Sequence, residues 1–88
     1  MTSKTVTIGS KVGLHARPAS VFAQAVSTCG VTVMLTDSTD KTVNAASILS
    51  VLSMGIDFGD SVTLTSDDEG AEPALESLAQ LLASELDS

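Results

Sequence analysis

Apolar and polar positions along the chain fall into two periods. Thr5-Val6-Thr7-Ile8 alternates with period two and predicts a strand, as does Val31-Thr32-Val33-Met34-Leu35, with Val31, Val33 and Leu35 on one face. Ser61-Val62-Thr63-Leu64-Thr65 alternates most cleanly, Val62 and Leu64 inward and hydroxyl residues outward. Lys41-Thr42-Val43 predicts a short fourth strand after a polar turn at Asp37 to Asp40, hence a hairpin with the strand before it. Three stretches follow the helical period instead. The first runs from Ala16 to Cys29, with Val21, Phe22, Ala25 and Val26 at helical spacing, Pro18 in its first turn and Gly30 after its end. The second is short, Ser47 to Met54, with Ser47 as N-cap and Gly55 as a stop. The third carries the stripe Leu75, Leu78, Ala79, Leu82, Leu86 and has Pro73 near its start, leaving Glu72, Glu76 and Glu85 to face water.

The order is strand, helix, strand, strand, helix, strand, helix. Strands with one wet, hydroxyl-rich face pair in antiparallel fashion, and their apolar face must be covered by the helices. This pattern predicts an α+β domain in two layers, a four-stranded antiparallel sheet with three helices on one face, βαββαβα. No repeat, linker or low-complexity tract interrupts residues 1–88, so a single domain is expected.

Composition narrows the function classes. Hydrophobic residues make up 43% of the 88, enough for a core and too many for a disordered chain. No apolar run reaches the roughly 18 residues of a membrane span, and the start Met1-Thr2-Ser3-Lys4-Thr5 has no signal-peptide character. A cytoplasmic protein without membrane insertion is expected. Four Lys or Arg against eleven Asp or Glu give a net charge of −7, which removes a nucleic-acid footprint. Lys11 and Arg17 nevertheless flank His15 in sequence, while acid concentrates from Asp57 onward. Cys29 is the one cysteine, so no internal disulfide can form, and it reads as a small buried apolar residue near a helix end.

His15 is the one histidine, set in Gly13-Leu14-His15-Ala16-Arg17-Pro18-Ala19. Pro18 in a first helical turn puts His15 at or just before the helix N-terminus. Backbone N–H groups there have no intrahelical partner, and the helix dipole presents partial positive charge. An anion bound there would be held by those amides, and the Arg17 guanidinium offers a planar fork of donors suited to phosphate oxygens. The same positive end favours neutral imidazole, which can attack a phosphoryl group and later release it. On residue chemistry alone, a cap or surface histidine stays slightly ahead of the anion reading. A metal site is disfavoured by the lack of further strong ligands.

The run Gly13 to Ala19 resembles the active-site signature of the HPr phosphocarrier family of the sugar phosphotransferase system. Asn44-Ala45-Ala46-Ser47-Ile48-Leu49 with Val51-Leu52-Ser53-Met54-Gly55 resembles the family's second characteristic block, and Gly59 with Val62-Thr63-Leu64 resembles its last strand. The resemblance covers nearly the whole chain and implies an open-faced β-sandwich. It implies that His15 is phosphorylated as pros-phosphohistidine, accepting the group from phosphorylated enzyme I and donating it to the IIA domain of a sugar-specific enzyme II. Arg17 would compensate phosphoryl charge. The amides of Ala16 and Arg17 would cradle the anion, and Pro18 would set the helix start. Ser47 falls at the position that a serine kinase modifies in some lineages, although a plain N-cap explains it equally well. Ile48, Leu49 and Leu52 match the contact residues for partners; a two-turn helix cannot expose all three, so Ile48 with Leu49 or Leu52 is expected outward and Val51 inward. The expected protein is a monomeric carrier without cofactor or metal, not an enzyme in its own right.

The chain departs from the family pattern at Gln24 and Ser27, where many members carry basic residues, and at Ala45 and Ala46 before Ser47. Its acidity is at one end of the family range. These differences bear on charge attraction in docking and leave the phosphoryl chemistry intact. Three other readings stay open: a carrier for a regulatory or dihydroxyacetone-kinase-type branch, a binding module using the Ser47 face, and, last, a self-sufficient enzyme.

Overall fold

Alternation of hydroxyl and aliphatic residues sets the sheet. The computed structural model describes residues 2–9 and 16–84, the side chains of Ala16 and Arg17 excepted. Four strands are formed: β1 (Thr2–Thr7), β2 (Met34–Thr36), β3 (Thr42–Asn44) and β4 (Ser61–Ser66). They pair antiparallel throughout in the order β1-β4-β2-β3. The register lines up Thr5, Thr63, Thr36 and Thr42 in one row across all four strands. The hydroxyls pair at 3.1 Å between Thr5 and Thr63 and at 2.9 Å between Thr36 and Thr42. That row belongs to the open face. Leu35, Val62 and Leu64 alternate with it and point into the core.

Three helices complete the βαββαβα order: α1 (Ala16–Thr28), α2 (Ile48–Ser53) and α3 (Glu72–Ala83). They cover one face of the sheet, as the alternation required. One core joins Ala19, Phe22 and Val26 of α1, Val51 of α2, and Leu75, Leu78, Ala79 and Leu82 of α3 to the inward strand residues. Glu72 and Glu76 face water; Leu86 and Glu85, the end of the expected stripe, lie outside the described residues.

Three expectations shift. The core face of α1 is Ala19, Phe22, Ala23 and Val26, whereas Val21 is 38% exposed; two adjacent apolar residues at 21 and 22 fit the period equally well, and packing chooses Phe22. The second strand begins at Met34, not Val31, because the Thr32 N–H donates to the Asp68 carboxylate at 2.7 Å and not to a neighbouring strand. Cys29 is half-buried, its thiol donating to the Val26 carbonyl at 3.0 Å.

The hairpin between β2 and β3 is held by its first residue. Asp37 Oδ1 accepts from the Thr39 N–H at 2.9 Å, the Thr39 hydroxyl at 2.7 Å and the Lys41 N–H at 3.0 Å. This side chain closes the turn as an Asx motif and lets Asp40 sit at φ 67°, a left-handed conformation that Asp tolerates.

Candidate functional site

The first helix starts at Ala16, immediately after His15. His15 itself, with Lys11, lies outside the described residues, as does the Arg17 side chain. What the described residues define is the frame on both sides of segment 10–15.

On the incoming side, Ile8 is 1% exposed and fixes the end of β1 in the core. Its N–H donates to the Asp60 carbonyl at 2.9 Å, and its carbonyl accepts from the Gly59 N–H at 3.1 Å. The next N–H, that of Gly9, donates to the Leu82 carbonyl at the end of α3 at 2.9 Å. A Cβ at position 9 would collide with the Ala83 carbonyl oxygen. Position 9 is therefore open to glycine alone unless the end of α3 moves.

On the outgoing side, Pro18 is the third helical residue and is buried. Ala19 and Phe22, both fully buried, anchor the first turns of α1. Proline suits this position because its missing N–H would have no intrahelical acceptor. The first amides, those of Ala16 and Arg17, have no intrahelical acceptor and point toward the start of the helix, where the dipole adds partial positive charge. No acidic residue occupies the first turn of α1. That end of the helix is suited to an anion.

The second helix packs against α1. Its N-cap, Ser47, has φ −95° and ψ 109°, and its Oγ accepts from the Ser50 N–H at 3.4 Å. The preceding turn is organised by Asn44, a residue the sequence reading gave no role. Its Oδ1 accepts from the Ala46 N–H at 2.9 Å, and its carbonyl accepts from the Ser47 N–H at 3.1 Å. Val51 is fully buried, Leu52 half-buried, and Leu49 is 77% exposed with Ile48 beside it in water. The two-turn helix thus has one core residue and one apolar outer face. Phe58, also missed, is 59% exposed on the turn after α2.

An open groove of about 560 Å³ runs between Ala25 and Thr28 of α1, with Cys29 just after it, and Pro73, Ala74 and Leu81 of α3. At 1.5 Å per residue it lies about 14–18 Å along α1 from Ala16, too far to belong to the site at the helix start. Among the described residues no group of His, Cys, Asp or Glu converges to hold a metal ion, and no helix is long and apolar enough to cross a membrane.

A helix start directly after a lone histidine, on an open antiparallel sheet covered by three helices, defines a small α+β domain with an anion-attracting helix end. The chain belongs to the HPr phosphocarrier family of the phosphotransferase system: the family model described as the PTS HPr component phosphorylation site matches residues 2–84. It is 47% identical over 87 residues to the phosphocarrier protein HPr of Streptomyces coelicolor, covering 99% of this chain and 94% of that one. Its fold matches the crystal structure of HPr-C-His from Thermoanaerobacter tengcongensis with a TM-score of 0.89 and 34% identity, covering 100% and 98% of the two chains. The HPr dimer structure from the same organism matches with a TM-score of 0.62 and 36% identity, over 97% and 100%.

Proposed function

We propose that this chain is a general phosphocarrier of sugar uptake, acting as one domain over residues 1–88 in the cytoplasm. It takes a phosphoryl group from phosphorylated enzyme I onto His15 and passes it to IIA domains of sugar-specific enzymes II. The single observation that supports this most is the start of α1 at Ala16, directly after the histidine, in a chain of this family.

In this reading Nδ1 of neutral His15 attacks phosphorus. A P–N bond forms as the bond to the donor's leaving group breaks, and that group keeps the electron pair. The Nε2–H keeps its proton. The amides of Ala16 and Arg17 and the Arg17 guanidinium take up the charge of the phosphoryl oxygens, so transfer rests on positioning and electrostatics. Pro18 holds the helix start against the core. Transfer to a IIA domain reverses the step, with the same amides released.

Partners dock on the outer face of α2 through Ile48, Leu49 and Leu52, an apolar patch of the kind transient complexes use. Ser47 lies at the edge of that patch. A phosphate placed there by a serine kinase would meet the start of α2 favourably while repelling an acidic partner surface. The carrier shuttles as a monomer, a point that sedimentation analysis checks, given the dimer known for a relative. The test of the carrier role is a chase: chain phosphorylated by enzyme I, freed of donor, is mixed with a IIA domain. Transfer of label to the IIA domain supports the reading, and label that stays on the chain contradicts it.

A further inference from the structure

The chain has two phenylalanines, and they are placed oppositely. Phe22 is fully buried, while Phe58 is 59% exposed. The exposure is imposed by the backbone. Ile56 before the turn is buried, Gly59 within it sits at φ 86°, and the Asp60 N–H donates to the Asp57 carbonyl at 3.1 Å. The Asp60 carboxylate also accepts from the Asp57 N–H at 2.9 Å, so residues 57–60 form a closed turn that holds Phe58 outward. An aromatic residue left mostly in water gains little from the fold it belongs to. It is the kind of side chain that carries binding energy when a partner buries it.

Its position is specific. The turn bearing Phe58 is tied to Ile8 by two backbone hydrogen bonds, so the turn stands beside the point where the chain leaves the sheet toward His15. The same turn follows α2, whose outer face presents Ile48 and Leu49. We propose that Phe58 is a docking anchor for the protein that delivers the phosphoryl group, inserting into an apolar pocket bordered by Lys or Arg side chains. The basic border answers Asp57 and Asp60, which flank the ring. The inference rests on the carrier reading above. In that reading every phosphoryl group arrives through one donor and leaves to several acceptors, and a fixed aromatic anchor suits the one invariant partner.

The experiment is steady-state loading from phosphoenolpyruvate and enzyme I, with the chain as the varied substrate, for wild type, Phe58→Ala and Phe58→Leu. The expected result for Phe58→Ala is a KM for the chain raised about tenfold, as for loss of one well-buried interface side chain. Its kcat and thermal midpoint should match wild type, with Phe58→Leu recovering most of the KM. An unchanged KM overturns the proposal while leaving the carrier reading intact. A KM raised only in the unloading step, toward a IIA domain, overturns the choice of donor. Wild type that never loads overturns the carrier reading and this inference with it.

Discussion

Gly9 and Ala83 meet backbone to backbone: the Gly9 N–H bonds to the carbonyl of Leu82, and the space where a Cβ would stand is filled by the Ala83 carbonyl. The contact locks the end of α3 to the strand exit that precedes the His15 segment. Gly9→Ala must push one of two backbones aside and is expected to cost about 1–3 kcal/mol, the usual range for overpacking. Urea unfolding followed by far-ultraviolet circular dichroism would show it as a lowered midpoint with an unchanged slope. A midpoint equal to wild type would mean that the end of α3 yields freely.

The two faces of α2 should separate stability from docking. Val51 is fully buried, so Val51→Ala removes two methyl groups' worth of core and is expected to cost about 2 kcal/mol. Leu49 is mostly in water, so Leu49→Ala should stay within about 0.5 kcal/mol of wild type. Transfer kinetics should reverse the ranking, with Leu49→Ala raising KM and Val51→Ala leaving it near wild type at a temperature where both are folded.

Ser47 caps α2 through a long hydrogen bond, 3.4 Å from its Oγ to the Ser50 nitrogen. Ser47→Ala is therefore expected at the weak end of cap losses, about 0.5–1 kcal/mol. Ser47→Asp keeps an acceptor at the cap and should retain that stability while slowing loading, if negative charge beside the patch opposes docking. Chemical unfolding and loading rates, measured on the same samples, separate the two effects.

Acid should act on the β2–β3 turn. The Thr39 hydroxyl bonded to the Asp37 carboxylate, aided by the Lys41 and Thr39 amides, holds its pKa below the ordinary carboxylate value, against a partial opposing effect of desolvation. A depressed folded-state pKa contributes stability that is full above the unfolded-state value and fades as pH falls through the folded-state value. Asp37→Asn keeps an acceptor oxygen without the charge. The difference in stability between wild type and Asp37→Asn should therefore shrink as pH drops below the ordinary carboxylate range and stay constant near neutrality. A difference independent of pH would remove the charge from the account of this turn.

Much of the architecture could be read from the chain because β4 alternates Val62 and Leu64 with Ser61, Thr63 and Thr65, and α3 repeats Leu75, Leu78, Ala79 and Leu82. Such patterns carry the burial of each face within the local sequence. The start of β2 could not be read, since the acceptor for the Thr32 N–H is a carboxylate 36 residues away. Phe58 was hidden for a related reason: composition places phenylalanine in a core, and only the closed turn of residues 57–60 and its bonds to Ile8 turn the ring outward. The chemistry assigned to His15 came from residue types and family resemblance, with the described structure contributing the helix start at Ala16 and the two anchored ends that frame it.

The most direct measurement of the central claim is labelling from phosphoenolpyruvate in the presence of enzyme I, comparing wild type with His15→Ala by intact mass. The account predicts one added phosphoryl group on wild type, lost in acid and stable in base, and none on the folded variant. Equal labelling of both proteins, or an adduct stable to acid, would contradict it.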